Sequence, residues 1–171
     1  MAESVSLGIT DDLLFGRSEG MQHLRRQVDD IARTGLPVLI EGESGTGKDV
    51  LARAIHERST RRSRGLINIV CSDTTSIPSL DNVMFGTGWL IESANGTDRS
   101  EMQPAGTVLF DDIGELDSGL QRQLAHLLQD ARLTGHGESC IQVLCTTKSD
   151  LGAKLAAGLL RDDLYYRLNV I

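Results

Sequence analysis

Apolar residues recur at helical spacing through Met21, Leu24, Val28 and Ile31, following Ser18, whose hydroxyl suits a helix N-cap. Gly35 and Pro37 break the pattern, which predicts a first helix over about 18–33. The aliphatic run VLIEG at 38–42 reads as a buried strand, and Val50, Leu51, Ala54 and Ile55 place a second helix soon after it. Further strands are expected at 66–71 (LINIVC), 107–112 (TVLFDD) and 141–147 (IQVLCTT). Their apolar residues run on without alternation, as in parallel strands covered on both faces. Helices fall between them, the clearest over about 118–130, where Leu120, Leu124, Leu127 and Leu128 form one core-facing stripe. The alternation of strands and helices predicts an α/β fold: a parallel sheet with helices on both faces and a ligand site at the carboxyl ends of the strands. Only 96–106 (GTDRSEMQPAG) has the composition of a long loop, and there is no internal repeat.

With 171 residues, 40% of them hydrophobic, the chain suffices for one ordinary core, and 1–171 reads as a single domain. No apolar run approaches the roughly 20 residues that cross a bilayer, and the first residues lack the basic start and apolar stretch of a signal peptide. A cytoplasmic location without membrane contact is the expectation. Cys71, Cys140 and Cys145 are odd in number and lack CxxC spacing, which suits reduced thiols. The formal charge of −7 argues against a surface that coats nucleic acid by counterion release. Arg58, Arg61, Arg62 and Arg64 are a local exception, read as a solvated loop or as phosphate contacts. No helix-turn-helix pattern is visible, so direct DNA binding by this chain is not expected. His23, His56, His126 and His136 share no metal-ligand spacing.

The chemistry concentrates after the second predicted element. Gly42-Glu43-Ser44-Gly45-Thr46-Gly47-Lys48 satisfies GxxxxGK between a strand and a helix. Its glycines let backbone N–H groups converge on phosphate oxygens while Lys48 reaches the β and γ phosphates, and the following helix adds its positive end. ATP is the implied cofactor, with Mg2+. Asp49 stands where Ser or Thr is usual, and its carboxylate would meet the metal directly or through water. Val108-Leu109-Phe110-Asp111-Asp112 is an apolar strand ending in acids, the form of a Walker B segment. Asp111 then takes the metal side, and Asp112 the place of the base that orients water. The plain alternatives are a glycine turn that binds nothing and two acids capping a strand end.

These residues resemble the AAA+ domain of sigma-54-dependent transcriptional activators, the bacterial enhancer-binding proteins. LLFGRSEGMQHLRRQVDDIA is similar to the family's opening segment, GESGTGKDVLARAIHERS to its Walker A region, GTVLFDDIGELDSGLQRQLAHLLQD to its Walker B region and RDDLYYRLNVI to its arginine-finger region. The resemblance implies a P-loop three-layer sandwich and a ring-forming ATPase in which Arg161 and Arg167 complete the site of a neighbouring subunit. An acidic residue after the P-loop Lys is normal there. Surface salt bridges are the alternative role for the two arginines.

Four departures bear on activity. The family contacts sigma-54 through a GAFTGA loop, expected after Phe85-Gly86, where this chain runs FGTGWLIESANG. The acidic pair is normally Asp-Glu, but here it is Asp111-Asp112, one methylene shorter at the base. A misplacement near 1 Å can cost on the order of 100-fold in rate. The Asn that holds that Glu aligns with Val70, and the sensor Asn aligns with Lys148, a cation at the γ-phosphate end of the sheet. Neither the family's helical lid nor its DNA-binding domain is visible in the chain.

The reading that follows is an ATP-binding domain of a transcriptional regulator with weak or absent hydrolysis and no sigma-54 remodelling, acting through homo- or hetero-oligomers with other AAA+ subunits and reaching the transcription machinery indirectly. The alternatives are an active ring-forming ATPase, and an interaction module or receptor for another nucleotide held by Arg17, Arg26 and the 58–64 arginines. Trp89 either packs the shortened loop or anchors a partner.

Overall fold

The computed structural model describes residues 16–73, 77, 79–85, 106–129 and 141–168. Helix α1 (Glu19–Arg33) starts at Ser18, whose hydroxyl accepts from the Met21 N–H at 3.4 Å. Glu19 in its first turn and Arg33 in its last complement the helix dipole. Strand β1 (Val38–Glu41) leads to α2 (Lys48–Arg58), β2 (Leu66–Val70) and α3 (Leu80–Phe85). Strand β3 (Thr107–Asp111), a 3-10 turn (Ile113–Glu115), α4 (Ser118–Leu127), β4 (Gln142–Thr147), α5 (Leu151–Ala156) and α6 (Asp162–Leu168) follow.

The described strands form one parallel sheet in the order β1-β4-β3-β2. Val38, Ile40, Leu109 and Leu144 pack on one face against Val28 and Ala32 of α1 and Ala52 and Ile55 of α2. On the other face Ile67, Ile69, Val108, Phe110, Val143 and Cys145 meet Leu80 and Val83 of α3, Leu124 of α4, Leu151 of α5 and Leu164 of α6. Each fully buried aliphatic side chain contributes about 1.5–3 kcal/mol, so both layers are needed. This is the expected three-layer sandwich.

The expectation of unalternating burial holds for β3 and β4, which are almost wholly buried, but not for β2. There Asn68 and Val70 are exposed while Ile67 and Ile69 are buried, because β2 lies at a sheet edge and only one of its faces is covered. The chain runs from β1 across the sheet to β2 and returns through β3 to β4. The strand order therefore switches between β1 and β4, with α2 packed on one face of the sheet and α4 on the other, the place where a ligand crevice is expected in such a sheet.

At the opposite end of the sheet His56 Nδ1 lies 2.7 Å from Thr107 Oγ1, both residues buried. Burial lowers the His56 pKa, as do the charges of Arg61 and Arg53, against a hydrogen bond to the Arg64 backbone. Within the arginine segment, Arg61 departs from the solvated loop expected there. Arg61 is only 2% exposed and donates to the Thr34 carbonyl at 3.0 Å, tying the end of α2 to the end of α1. Arg58 pairs with Asp29 of α1 at 3.0 Å, and Arg62 remains exposed. Cys71 and Cys145 are free and buried. Burial pushes the Cys71 thiol up to about 12, with the carboxylates of Asp111, Asp112 and Glu115 adding to the shift, and Cys145 is raised well above its ordinary value. Trp89, Cys140, His136 and the segment 86–97 lie outside the described residues.

Candidate functional site

The glycine loop leaves the sheet where the sequence predicts. Gly42 N–H donates to the Thr147 carbonyl at 3.2 Å, extending the β1–β4 ladder one step into the loop. Gly45 (φ +80°) and Gly47 (φ +85°) take left-handed backbone that glycine adopts without cost. Gly47 caps α2 without a side chain, so the first N–H groups of an 11-residue helix face the loop's concavity. A Cβ on Gly42 would come within 2.9 Å of Thr46 Oγ1, which donates to the Glu43 carbonyl at 2.8 Å. Lys48 Nζ donates to the carbonyls of Gly42 and Glu43 at 2.8 and 2.7 Å. The ammonium is thus held over the loop by backbone oxygens that an anion can replace. Glu43, Ser44 and Asp49 are exposed, Asp49 in the first turn of α2.

Asp111 ends β3 at the same end of the sheet as this loop, with β4 between them, and its Oδ1 accepts from Thr146 Oγ1 at 2.8 Å. The same Thr146 oxygen accepts from the Asp112 N–H at 3.1 Å. Thr146 is wholly buried in β4, so one fixed hydroxyl sets both acids. Asp112 needs that support, since its backbone is left-handed (φ 57°, ψ 64°), the only non-glycine residue so placed among those described. Lys148, the first residue after β4, brings Nζ to 2.8 Å from Asp112 Oδ2. The contact is a close ion pair that raises the Lys148 pKa, and Asp112 Oδ1, also buried, has no hydrogen-bond partner among the described residues. The turn after Asp112 is fastened by a second lysine of the same segment, since Lys154 Nζ donates to Gly114 O at 2.7 Å and to Glu115 Oε1 at 2.8 Å.

The loop, Asp111, Asp112 and Lys148 are therefore brought to one end of the sheet. Arg161 and Arg167 are not joined to it. Arg161 is exposed and bound in a fork by Asp163 (Nε to Oδ1 2.9 Å, Nη2 to Oδ2 2.8 Å), while its backbone N–H donates to Gln121 of α4. Arg167 is half-buried on α6. Neither hydrogen-bonds to the glycine loop or the two acids. Val70, opposite Asp111 in the β2–β3 register, is 47% exposed and offers no polar group there.

The residues fit a phosphate chain: a concave loop, an ammonium held only by carbonyls, and a helix N-terminus. Among the described residues no group of three or more His, Cys, Asp or Glu side chains could hold a metal ion. A cation beside Asp111 would need phosphate oxygens as further ligands, which is how Mg2+ is usually bound. Thr146 and the Lys148–Asp112 pairing were not predicted from sequence. A threonine in an apolar strand gives no signal of its own, and the pair joins residues on separate strands.

The strand, glycine loop and helix, with acids at the end of a central strand, define the P-loop NTPase fold of the AAA+ type. A family model described as the Sigma-54 interaction domain matches residues 14–171, and the chain belongs to that family. It is 37% identical over 174 residues to the response regulator protein PilR of Pseudomonas aeruginosa, covering 94% of this chain and 38% of that one. Among solved structures it resembles NtrX from Brucella abortus in complex with ADP, at TM-score 0.68 and 25% identity over 92% of this chain and 36% of that one. NtrX in complex with ATP gives TM-score 0.66 at 24% identity, covering 91% and 36% of the two chains. The chain thus spans well under half the length of these relatives.

Proposed function

We propose that this chain is an ATP-holding module of a transcriptional regulator that turns nucleotide over slowly or not at all. The Lys148–Asp112 contact at 2.8 Å carries the reading. Lys48 would exchange the carbonyls of Gly42 and Glu43 for β and γ phosphate oxygens, with the N–H groups of Gly45, Gly47 and the start of α2 around them. Asp111, with Asp49 through water, would hold Mg2+, whose charge offsets that of the phosphates. The place of the water-orienting base falls to Asp112. A base must be free to accept a proton, but this carboxylate is short, buried and faced by a cation, all of which oppose its use.

Arg161 and Arg167 would act on the site of a neighbouring subunit. Arg161 must first leave Asp163, and an exposed pair of that kind offers little resistance, so assembly remains open to this chain. Output through sigma-54 is a different matter, since the sequence FGTGWLIESANG stands where the coupling loop is expected. The module would therefore act through oligomers with other AAA+ subunits.

Calorimetric titration with ATP and Mg2+, beside Lys48→Ala, tests the holding step, and phosphate release at rising protein concentration tests turnover. Saturable binding lost in the variant, with little release at any concentration, is the expected result. Release that climbs with concentration and disappears in Arg161→Ala would instead establish an active ring ATPase. Absence of binding at millimolar ATP would return the fold to an interaction module.

A further inference from the structure

We infer that Gln121 of α4 is a positioning residue for Arg161, fixing the backbone from which that arginine reaches a neighbouring subunit's nucleotide. The inference rests on the reading that Arg161 serves a neighbour's site, and it adds what aims the arginine.

Gln121 is only 2% exposed, on a helix whose other buried positions, Leu120, Leu124, Ala125 and Leu127, are apolar. An amide in such surroundings is costly unless its polar atoms are bonded. Its Nε2 donates to the Leu116 carbonyl at 2.8 Å and to the Leu159 carbonyl at 3.0 Å, and its Oε1 accepts from the Arg161 N–H at 3.0 Å. Two carbonyls and one N–H suit a single orientation of the amide, since the flipped one would set donor against donor. All three partners are backbone groups outside α4. Leu116 closes the turn that Asp112 opens, and Leu159 and Arg161 belong to the link between α5 and α6.

That link is where Arg161 gets its direction. Gly158 takes left-handed backbone (φ +70°) after α5, the Leu160 side chain is buried, and the Arg161 carbonyl accepts from the Tyr165 N–H at 3.0 Å as α6 begins. With its N–H on Gln121, both backbone groups of Arg161 are fixed. The guanidinium is exposed and paired with the exposed Asp163 two residues on, so it can reorient, and its reach is set by the backbone that carries it. The same amide sets that backbone against the turn after Asp112. Lys154 repeats the tie, with Nζ on the Gly114 carbonyl and its own carbonyl accepting from the N–H groups of Leu159 and Leu160.

A trans arginine adds a charge-assisted hydrogen bond to the neighbour's nucleotide and should slow its release roughly 10- to 100-fold once subunits meet. The experiment loads the whole chain with a fluorescent, non-hydrolysable ATP analogue and Mg2+, then follows release into excess unlabelled analogue at rising protein concentration. Release should slow with concentration in the parent and not in Arg161→Ala. Gln121→Met, similar in length but without the amide, should lose most of the slowing and release like the parent at low concentration. Gln121→Glu keeps an acceptor for the Arg161 N–H and should fall between the two. Val28→Ala, a cavity in the opposite layer, is the control: it should lower Tm and keep the slowing.

Full slowing in Gln121→Met, or in Gln121→Glu where the methionine variant does not fold, would overturn the positioning role and leave that of Arg161 intact. So would an equal loss of slowing in Val28→Ala, or faster release from Gln121→Met already at low concentration. A parent that takes up no analogue, or whose slowing is absent or persists in Arg161→Ala, would instead remove the reading of Arg161, and the role of Gln121 with it.

Discussion

The buried hydroxyl of Thr146 is the point at which fold stability and site geometry meet, and Thr146→Val tests both. Valine keeps the shape and removes the oxygen that donates to Asp111 Oδ1 at 2.8 Å and accepts from the Asp112 N–H at 3.1 Å. Both partners are only part-buried, so water meets some of the deficit, and each lost bond is put at the low end of an unsatisfied group, about 1 kcal/mol. The sum is about 2 kcal/mol. For a chain of this size each kcal/mol lowers Tm by about 2–4 °C, giving a fall of about 4–8 °C. Thr146→Ser keeps the oxygen and loses one buried methyl, at about 1 kcal/mol, so it should fall by less. Thermal unfolding by circular dichroism supplies the stabilities, and titration of ADP with and without Mg2+ supplies the geometry. The Mg2+-dependent part of binding should weaken in Thr146→Val and survive in Thr146→Ser. A valine variant that melts within 1 °C of the parent, or that keeps its full Mg2+ dependence, would refute the view that this hydroxyl fixes the acids.

Restoring Glu at 112 should raise phosphate release little while Lys148 still faces it, whereas Asp112→Glu with Lys148→Asn should exceed the sum of the single effects by about 100-fold, read in a coupled phosphate assay. For His56, whose pKa is lowered by burial from the ordinary 6.5, the unfolded chain binds the proton more tightly than the folded one. Its stabilising effect is therefore full above pH 6.5 and lost as pH falls through that value toward the lowered one. Urea midpoints at pH 7.5 and 5.5 should show the fall, and His56→Gln should flatten it. Gly114→Ala puts a Cβ 2.6 Å from Ser149 Oγ and 3.2 Å from Lys154 Cδ. Overpacking of this kind costs about 1–3 kcal/mol, measurable as a lower urea midpoint.

Much of the fold was legible because its signals are local. Ser18 caps α1, the glycine loop falls between β1 and α2, and all four strands lie within a residue of their predicted limits at each end. The site residues at the end of the sheet were legible for the same reason, since a parallel strand delivers its last residues to one edge. What escaped depends on pairing between distant segments. Arg61 looks solvated in a run of arginines, yet it lies under the end of α1 because the Thr34 carbonyl needs a donor there. Val70 and Asn68 sit in an aliphatic run whose exposure depends on β2 being an edge strand, which only the sheet order decides. Lys148 reads from sequence as a cation placed for a phosphate, and only the left-handed turn of Asp112 brings a carboxylate under it.

That pairing makes sense of three departures that look independent along the chain. In the pattern this chain resembles, the acid after the metal-side Asp is positioned from the β2 side by an Asn. Here the corresponding Val70 is 47% exposed and has no group to offer. Taken alone, Val70 would leave a buried carboxylate without support, and Lys148 alone would add an unmatched cation beside the phosphates. Together they transfer the hold on Asp112 across β3 to β4, where Thr146 takes its backbone and Lys148 its side chain. Shortening Glu to Asp belongs to the same arrangement, because a fixed left-handed turn keeps the shorter carboxylate back within reach of Lys148. β4 is the strand that pairs with β1 and meets the first residue of the phosphate loop. The acid thus answers to the nucleotide end of the sheet and no longer to the edge strand β2, on the side from which the chain runs on through α3 toward the coupling-loop position. On the proposed ATP-holding reading, a link at the phosphate loop serves the role, and a link along the β2 edge does not.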